Sequence, residues 1–252
     1  MAKIVKALQN ILLILLLLAG GSAFAQNQAI TEPQLFYTKR IQLGAHINSA
    51  VRGGINFKYG WHQTGKKKRI LDTELAYVRH PKETNIYGAS QNPQEYSYGK
   101  LNSVFMLRTG YGQTFFITER PYKNAVGLNF NYSLGIATAL LKPVYLDILN
   151  ISNDQTRAFV RAERYDPDVH IYQNLIYGNS SFFEGIGNTQ ARFGGYGKAS
   201  LAVEWGAYPD EFHTLEAGVS LDVFPTGLSM VAREQTRSVV LFFIGYSFGW
   251  NK

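Results

Sequence analysis

The chain has 252 residues, of which 46% are hydrophobic, 14% aromatic and only 17% charged, with a formal net charge of +7. The charged fraction falls below the ~25% usual for soluble domains, and the absence of cysteine excludes disulfides, thiolate metal sites, thiol nucleophiles and lipid attachment through a cysteine. The 16 Tyr, 16 Phe, 3 Trp and 24 Gly suit strands joined by tight turns.

At the N-terminus, Lys3 and Lys6 precede an aliphatic run from Ile11 to Leu18, and Ala23-Phe24-Ala25 supplies a small-residue cleavage pattern. This predicts an export signal peptide over residues 1–25 and a mature chain from Gln26. The aliphatic run is shorter than the ~20 residues a spanning helix needs. The later apolar runs are short and interrupted by polar residues, so a membrane-integral mature chain has to be a closed β-barrel.

Eight segments then alternate with a period of two, the signature of a strand with two unlike faces. The first sets Ile41, Leu43, Ala45 and Ile47 against Gln42, Gly44, His46 and Asn48. The second sets Ile55, Phe57, Tyr59 and Trp61 against Asn56, Lys58, Gly60 and His62. The third spans residues 71–77, with Asp72 and Glu74 on one face, and the fourth spans 105–112, with Arg108 on one face. The fifth, Val126 to Leu140, is the clearest: Leu128, Phe130, Tyr132, Leu134 and Ile136 alternate with Asn129, Asn131, Ser133, Gly135 and Ala137. The sixth spans 198–205, with Lys198 and Glu204 on one face. The seventh spans 215–223, with Glu216 and Asp222 on one face, and the eighth spans 240–250. An even number of strands, several of them longer than ordinary globular strands, predicts an all-β fold: an eight-stranded antiparallel up-and-down transmembrane β-barrel over residues 26–252. A soluble lipocalin-like barrel shows the same alternation with the apolar face inward. The polar faces here are mostly Gly, Ser, Ala and Asn with isolated charges, which suits a narrow lumen rather than a water-facing wall.

The connections divide by length. With the termini in the periplasm, the connections 64–68, 113–125 and 208–212 face the periplasm, while 80–99, 141–190 and 225–236 face outward and are longer in total. The connection 49–54 is short and breaks the trend. Trp61, Trp205 and Trp250 close the second, sixth and eighth strands, and Tyr111 closes the fourth. They predict a periplasmic aromatic rim at the membrane interface.

The charges on the small-residue faces are Lys58, Asp72, Glu74, Arg108, Lys198, Glu204, Glu216 and Asp222. Inside a narrow barrel each needs a partner, so they predict an internal ion-pair network that fills the lumen. The cluster Lys66-Lys67-Lys68-Arg69 reads as a solvated turn, not a nucleic-acid site. None of the five histidines, His46, His62, His80, His170 and His213, is followed two positions later by Ser or has a short metal-ligand spacing to another. The segment Tyr165-Asp166-Pro167-Asp168-Val169-His170 reads as a turn nucleated by Asp-Pro. No catalytic residue, metal or cofactor is expected. The external loop 141–190 is the main binding candidate, through Phe159, Tyr165, Tyr172, Tyr177, Phe182 and Phe183.

The signal peptide, the eight alternating strands and the aromatic-rich last strand, Leu241-Phe-Phe-Ile-Gly-Tyr-Ser-Phe-Gly-Trp250, resemble small outer-membrane barrels of the OmpA and OmpX type. In such families the last strand carries an assembly signal that ends in an aromatic residue. Here Asn251 and Lys252 follow Trp250. The stretch Leu215 to Pro225 is similar to exported barrels of the Bacteroidota. The resemblance implies an outer-membrane location and outer-membrane lipid as a partner. The function expected is that of a non-enzymatic envelope anchor that contacts a protein or glycan through its external loops. The alternatives are a lipid-modifying enzyme and a small channel.

Overall fold

The computed structural model describes residues 39–50, 52–64, 67–88, 94–118, 125–151, 158–206 and 210–252. The signal peptide expected over residues 1–25 lies outside the described residues. Among these residues the chain forms thirteen strands: β1 (Lys39–Asn48), β2 (Gly53–Thr64), β3 (Lys67–Val78), β4 (Thr84–Tyr87), β5 (Glu95–Tyr98), β6 (Asn102–Thr118), β7 (Gly127–Pro143), β8 (Tyr145–Ile151), β9 (Ala158–Arg164), β10 (Ile176–Asn179), β11 (Gln190–Trp205), β12 (Glu211–Leu228) and β13 (Thr236–Asn251). Eight of them close into a barrel in the order β1-β13-β12-β11-β7-β6-β3-β2, and the register of each neighbouring pair is antiparallel. The predicted eight-stranded up-and-down barrel is the fold observed.

The alternating sequence positions account for the two walls. Leu134, Ile136, Phe242 and Ile244 are 62–67% exposed on the outer wall, while their neighbours Ser133 and Ala137 are buried within. Exposing one such large side chain to water forgoes ~1.5–3 kcal/mol of burial. A wall built from them favours contact with an apolar medium over contact with water. The staves approach closely where glycines meet: a Cβ on Gly112 would stand 1.8 Å from the Tyr132 carbonyl oxygen, and one on Gly135 would stand 2.0 Å from that of Thr109. No helix among the described residues is long and apolar enough to cross a membrane, which says nothing of crossing by strands.

The structure corrects three expectations. Several barrel strands run past the alternating segments read from sequence. β6 reaches Thr118 because alternation continues through Thr114, which is buried beside Asn131. The inner wall is not small and polar throughout. Away from the termini it carries Val104, Met106, Tyr196, Phe224 and Leu241, which pack with Leu228 and Met230 into an apolar plug. Third, the connection 141–190 is not a simple loop. β8, β9 and β10 pair into a three-stranded antiparallel sheet, and β4 pairs with β5 within the connection 80–99. These two pieces share a second core of Tyr96, Val144, Leu146, Ile148, Tyr165 and Ile176, forming an ordered cap at the end of the barrel opposite the termini.

Candidate functional site

Alternation along five staves aims all eight sequence-predicted lumen charges inward, and all are at least 93% buried. Arg108 on β6 donates from Nε to Asp222 Oδ1 at 2.9 Å and from Nη2 to Oδ2 at 2.6 Å, and its Nη1 donates to Glu74 Oε1 at 2.5 Å. Lys198 on β11 donates to Glu74 Oε2 at 2.9 Å and lies 3.3 Å from Asp72 Oδ2. Closer to the termini, Lys58 and Ser200 each donate to Glu216 at 2.5 Å. Asn129 donates to Glu204 at 3.1 Å.

Three further inward groups join them; Arg40 and Lys68 escaped the sequence reading, while His46 stood on its polar face. Arg40 forms an ion pair with Glu204 at 2.5 Å, and its guanidinium carbon lies 3.3 Å from the ring centroid of the fully buried Phe212. His46 Nε2 lies 3.4 Å from Glu74 Oε1. Lys68, read as part of a solvated turn, is 5% exposed, because β3 already begins at Lys67 and alternation turns the next residue inward. Its ammonium lies 5.4 Å from the Phe116 ring. The five cations Arg40, Lys58, Lys68, Arg108 and Lys198 thus share the lumen with the five carboxylates Asp72, Glu74, Glu204, Glu216 and Asp222. The cavity near the terminal mouth, between Arg40, Lys68, Asn131 and Glu204, measures about 20 Å³, room for a single water.

Register places the aromatic residues singled out in the sequence at the terminal end of the outer wall. Trp61 is opposite Lys39, Trp250 is opposite Ile41 and Glu211, Trp205 is opposite His213, and Tyr111 is opposite Leu71. Trp61 contacts Tyr59 and Tyr111, with ring centroids 5.9 and 6.0 Å apart. Trp205 stacks on His213, and Trp250 meets Phe248 edge-on at 4.5 Å. His213 Nδ1 pairs with the Tyr246 hydroxyl at 2.7 Å, which places that histidine in the aromatic band.

In the cap, Phe159, Tyr172, Phe182 and Phe183 are exposed and Tyr177 is half-buried. Tyr165 departs from the expectation of an exposed contact residue: it is 3% exposed, stacked on His170 and packed against Tyr98. Burial pushes the phenols of Tyr96 and Tyr165 above their ordinary value of 10.0. Asn150 donates to Glu163 Oε1 at 2.6 Å, which holds that carboxyl below its ordinary value, with His170 lying 3.4 Å from Oε2. His170 Nδ1 in turn accepts from the backbone N–H of Asp166 at 3.0 Å, closing the turn read as Asp-Pro-nucleated. A cleft of about 320 Å³ opens between the β4–β5 hairpin, the three-stranded sheet and the barrel edge.

The remaining histidines are dispersed. His80 caps the turn before β4, its Nδ1 accepting from the Lys82 N–H at 3.2 Å, and the side chain of His62 lies outside the described residues. Among the described residues no three His, Asp or Glu side chains are placed to hold a metal.

No protein-family model and no curated protein matches the chain. Among solved structures it is similar to the N-terminal β-barrel domain of Pseudomonas aeruginosa OprF, at 11% identity and TM-score 0.36, covering 86% of this chain and 98% of that one. It is similar to the attachment invasion locus protein Ail of Yersinia pestis, at 10% identity and TM-score 0.39, covering 85% and 99%. It is also similar to Neisserial surface protein A, at 9% identity and TM-score 0.37, covering 84% and 95%.

Proposed function

We propose that the chain is a bacterial outer-membrane protein, exported by a signal peptide over residues 1–25, that spans the lipid as a filled barrel and works through its ordered external cap. The observation that carries this reading is the inverted polarity of the barrel. Leu134, Ile136, Phe242 and Ile244 face out, while Arg108, Asp222, Glu74 and Lys198 pair within. A soluble barrel puts its apolar side chains inside. A lipid-embedded barrel presents them to hydrocarbon and pairs its backbone groups around a closed ring.

The aromatic band of Trp61, Tyr111, Trp205 and Trp250 marks the periplasmic interface, where an apolar ring body with a polar edge is most stable. The long connections with their folded cap then lie outside the cell. Ion pairs below and an apolar plug above fill the lumen, which favours anchoring and binding over conduction. A non-enzymatic role accords with His46 resting against Glu74, His170 against Glu163 and His213 in the aromatic band.

The test is fractionation and gel migration. The protein should partition with outer membranes, and unboiled samples in SDS should migrate differently from boiled ones, because the closed ladder resists the detergent. Recovery in the soluble periplasmic fraction with a single heat-independent band would overturn the proposal.

A further inference from the structure

The cap cleft carries more positive charge than its own surroundings use. Arg52, Lys100 and Lys142 line it against one lining carboxylate, Glu95. Lys100 is already satisfied, donating to Glu83 Oε2 at 3.0 Å and to the Tyr77 hydroxyl at 2.8 Å. Arg52 and Lys142 differ. Among the described residues neither has a carboxylate within 4.0 Å; Arg52 lies 5.4 Å from the Tyr77 ring centroid and Lys142 lies 5.0 Å from that of Phe182. Lys142 is nevertheless a buried residue, 8% exposed. Holding an ammonium in a recess with its acidic neighbour Glu184 beyond ion-pair distance costs desolvation energy, which an incoming anion would offset.

The other walls suit a sugar ring. Tyr77, Tyr145 and Phe182 offer flat apolar faces for ring C–H groups, and Ser103, Asn179 and Ser180 offer hydroxyl and amide groups for ring hydroxyls. The volume falls in the ~300–1,000 Å³ range of small-ligand sites. Glu95 is tethered by Asn85, whose Nδ2 donates to its Oε1 at 2.7 Å, and the lining cations outnumber it three to one. One wall also borders the lipid boundary. Phe182 meets Phe105 edge-on at 6.3 Å, and Phe105 belongs to the outward face of β6.

We infer that this cleft binds an anionic saccharide, with its phosphate or other acidic group held between Arg52 and Lys142 and its ring against the aromatic wall. The inference rests on the cap being external, as proposed above. The experiment uses the full mature chain folded in zwitterionic detergent and titrates it calorimetrically with a bis-phosphorylated glucosamine disaccharide and with the unphosphorylated disaccharide. A parallel arm presents the same phosphorylated disaccharide, acylated, in nanodiscs.

The phosphorylated sugar should bind at least tenfold more tightly than the neutral one. Arg52→Gln and Lys142→Gln should each weaken it at least tenfold while the heat-dependent gel shift persists. Arg52 lies in an exposed turn outside the strands, so its variant keeps the test interpretable should Lys142→Gln misfold. Binding of the acylated form alone identifies a glycolipid head group, and binding of both identifies a site that also takes free saccharide. Either upholds the inference. Equal affinity for the phosphorylated and neutral sugars, no binding to wild type, or indifference to both substitutions overturns it. Should the gel shift persist in those cases, the envelope reading stands; its absence from wild type would defeat that reading instead.

Discussion

Arg108 reaches across the lumen to Asp222, and the two make a paired contact of 2.9 and 2.6 Å between staves that are not neighbours in the barrel, β6 and β12. β7 and β11 separate them on one side of the ring. The contact therefore ties opposite walls together instead of stabilising one hairpin. Glu74 joins from β3 and Lys198 from β11, so one cluster fastens four staves.

Removing the guanidinium would strand the Asp222 carboxylate in this interior and leave Glu74 to Lys198. Breaking a buried pair from one side typically costs ~3–5 kcal/mol, whereas replacing both partners by apolar groups of similar size is far cheaper. Arg108→Met should therefore lower the unfolding free energy by about that amount in urea titrations of the barrel in detergent. Arg108→Met combined with Asp222→Leu should recover part of the loss. A double variant less stable than the single one would mean that Asp222 is not Arg108's principal partner.

Position along the outer wall decides what a charge costs. Ile244 lies six residues before Trp250 on the same outward face of β13, near the middle of the apolar band. Ile244→Arg should destabilise the barrel in lipid by ~2–4 kcal/mol, and Trp250→Arg, at the interface, by ~0–1 kcal/mol from the charge itself. Unfolding titrations in phosphatidylcholine vesicles check this. Equal costs at the two depths would contradict the assigned interface.

The cap has a core of its own and should fail on its own. Leu146 is fully buried among Tyr96, Val144 and Ile176. Leu146→Ala should cost ~2–5 kcal/mol within the cap. Trypsin cleavage at Arg161 and Arg164 should accelerate, while the heat-dependent gel shift is unchanged. Loss of the shift would show that the barrel needs the cap to close.

The two buried cap phenols give an alkaline limit. Burial favours their neutral form, so the folded cap holds those protons more tightly than the unfolded chain does. The stability they lend is complete below the ordinary value of 10.0 and declines as pH rises through the higher folded values. Phenolate absorbance should show late-titrating tyrosines, with Tyr96→Phe and Tyr165→Phe each removing one. Titration of both with the exposed tyrosines would contradict their burial.

Period-two alternation made the barrel legible because each stave divides two unlike surroundings, as Leu134 and Ser133 illustrate. It set Met106 on the same face as Arg108, but it could not reveal that Met106 meets Phe224 in an apolar plug, a contact made only when distant staves close the ring. Lys68 was lost because the hairpin between β2 and β3 is tighter than its basic run suggests, so the run enters the strand. Arg40 was lost because the alternating apolar face starts only at Ile41. Tyr165 was misplaced because its burial depends on Tyr96 and Ile176, partners brought together only by the cap's tertiary fold.

The most direct measurement asks which wall meets lipid. The chain has no cysteine, so single substitutions can be labelled cleanly. A polarity-sensitive fluorophore on Ile244→Cys, with the protein in vesicles, is challenged with mid-chain brominated lipid and with aqueous iodide. The expected result is strong quenching by the brominated lipid and almost none by iodide. Quenching by iodide alone would place Ile244 in water and contradict the membrane-spanning barrel.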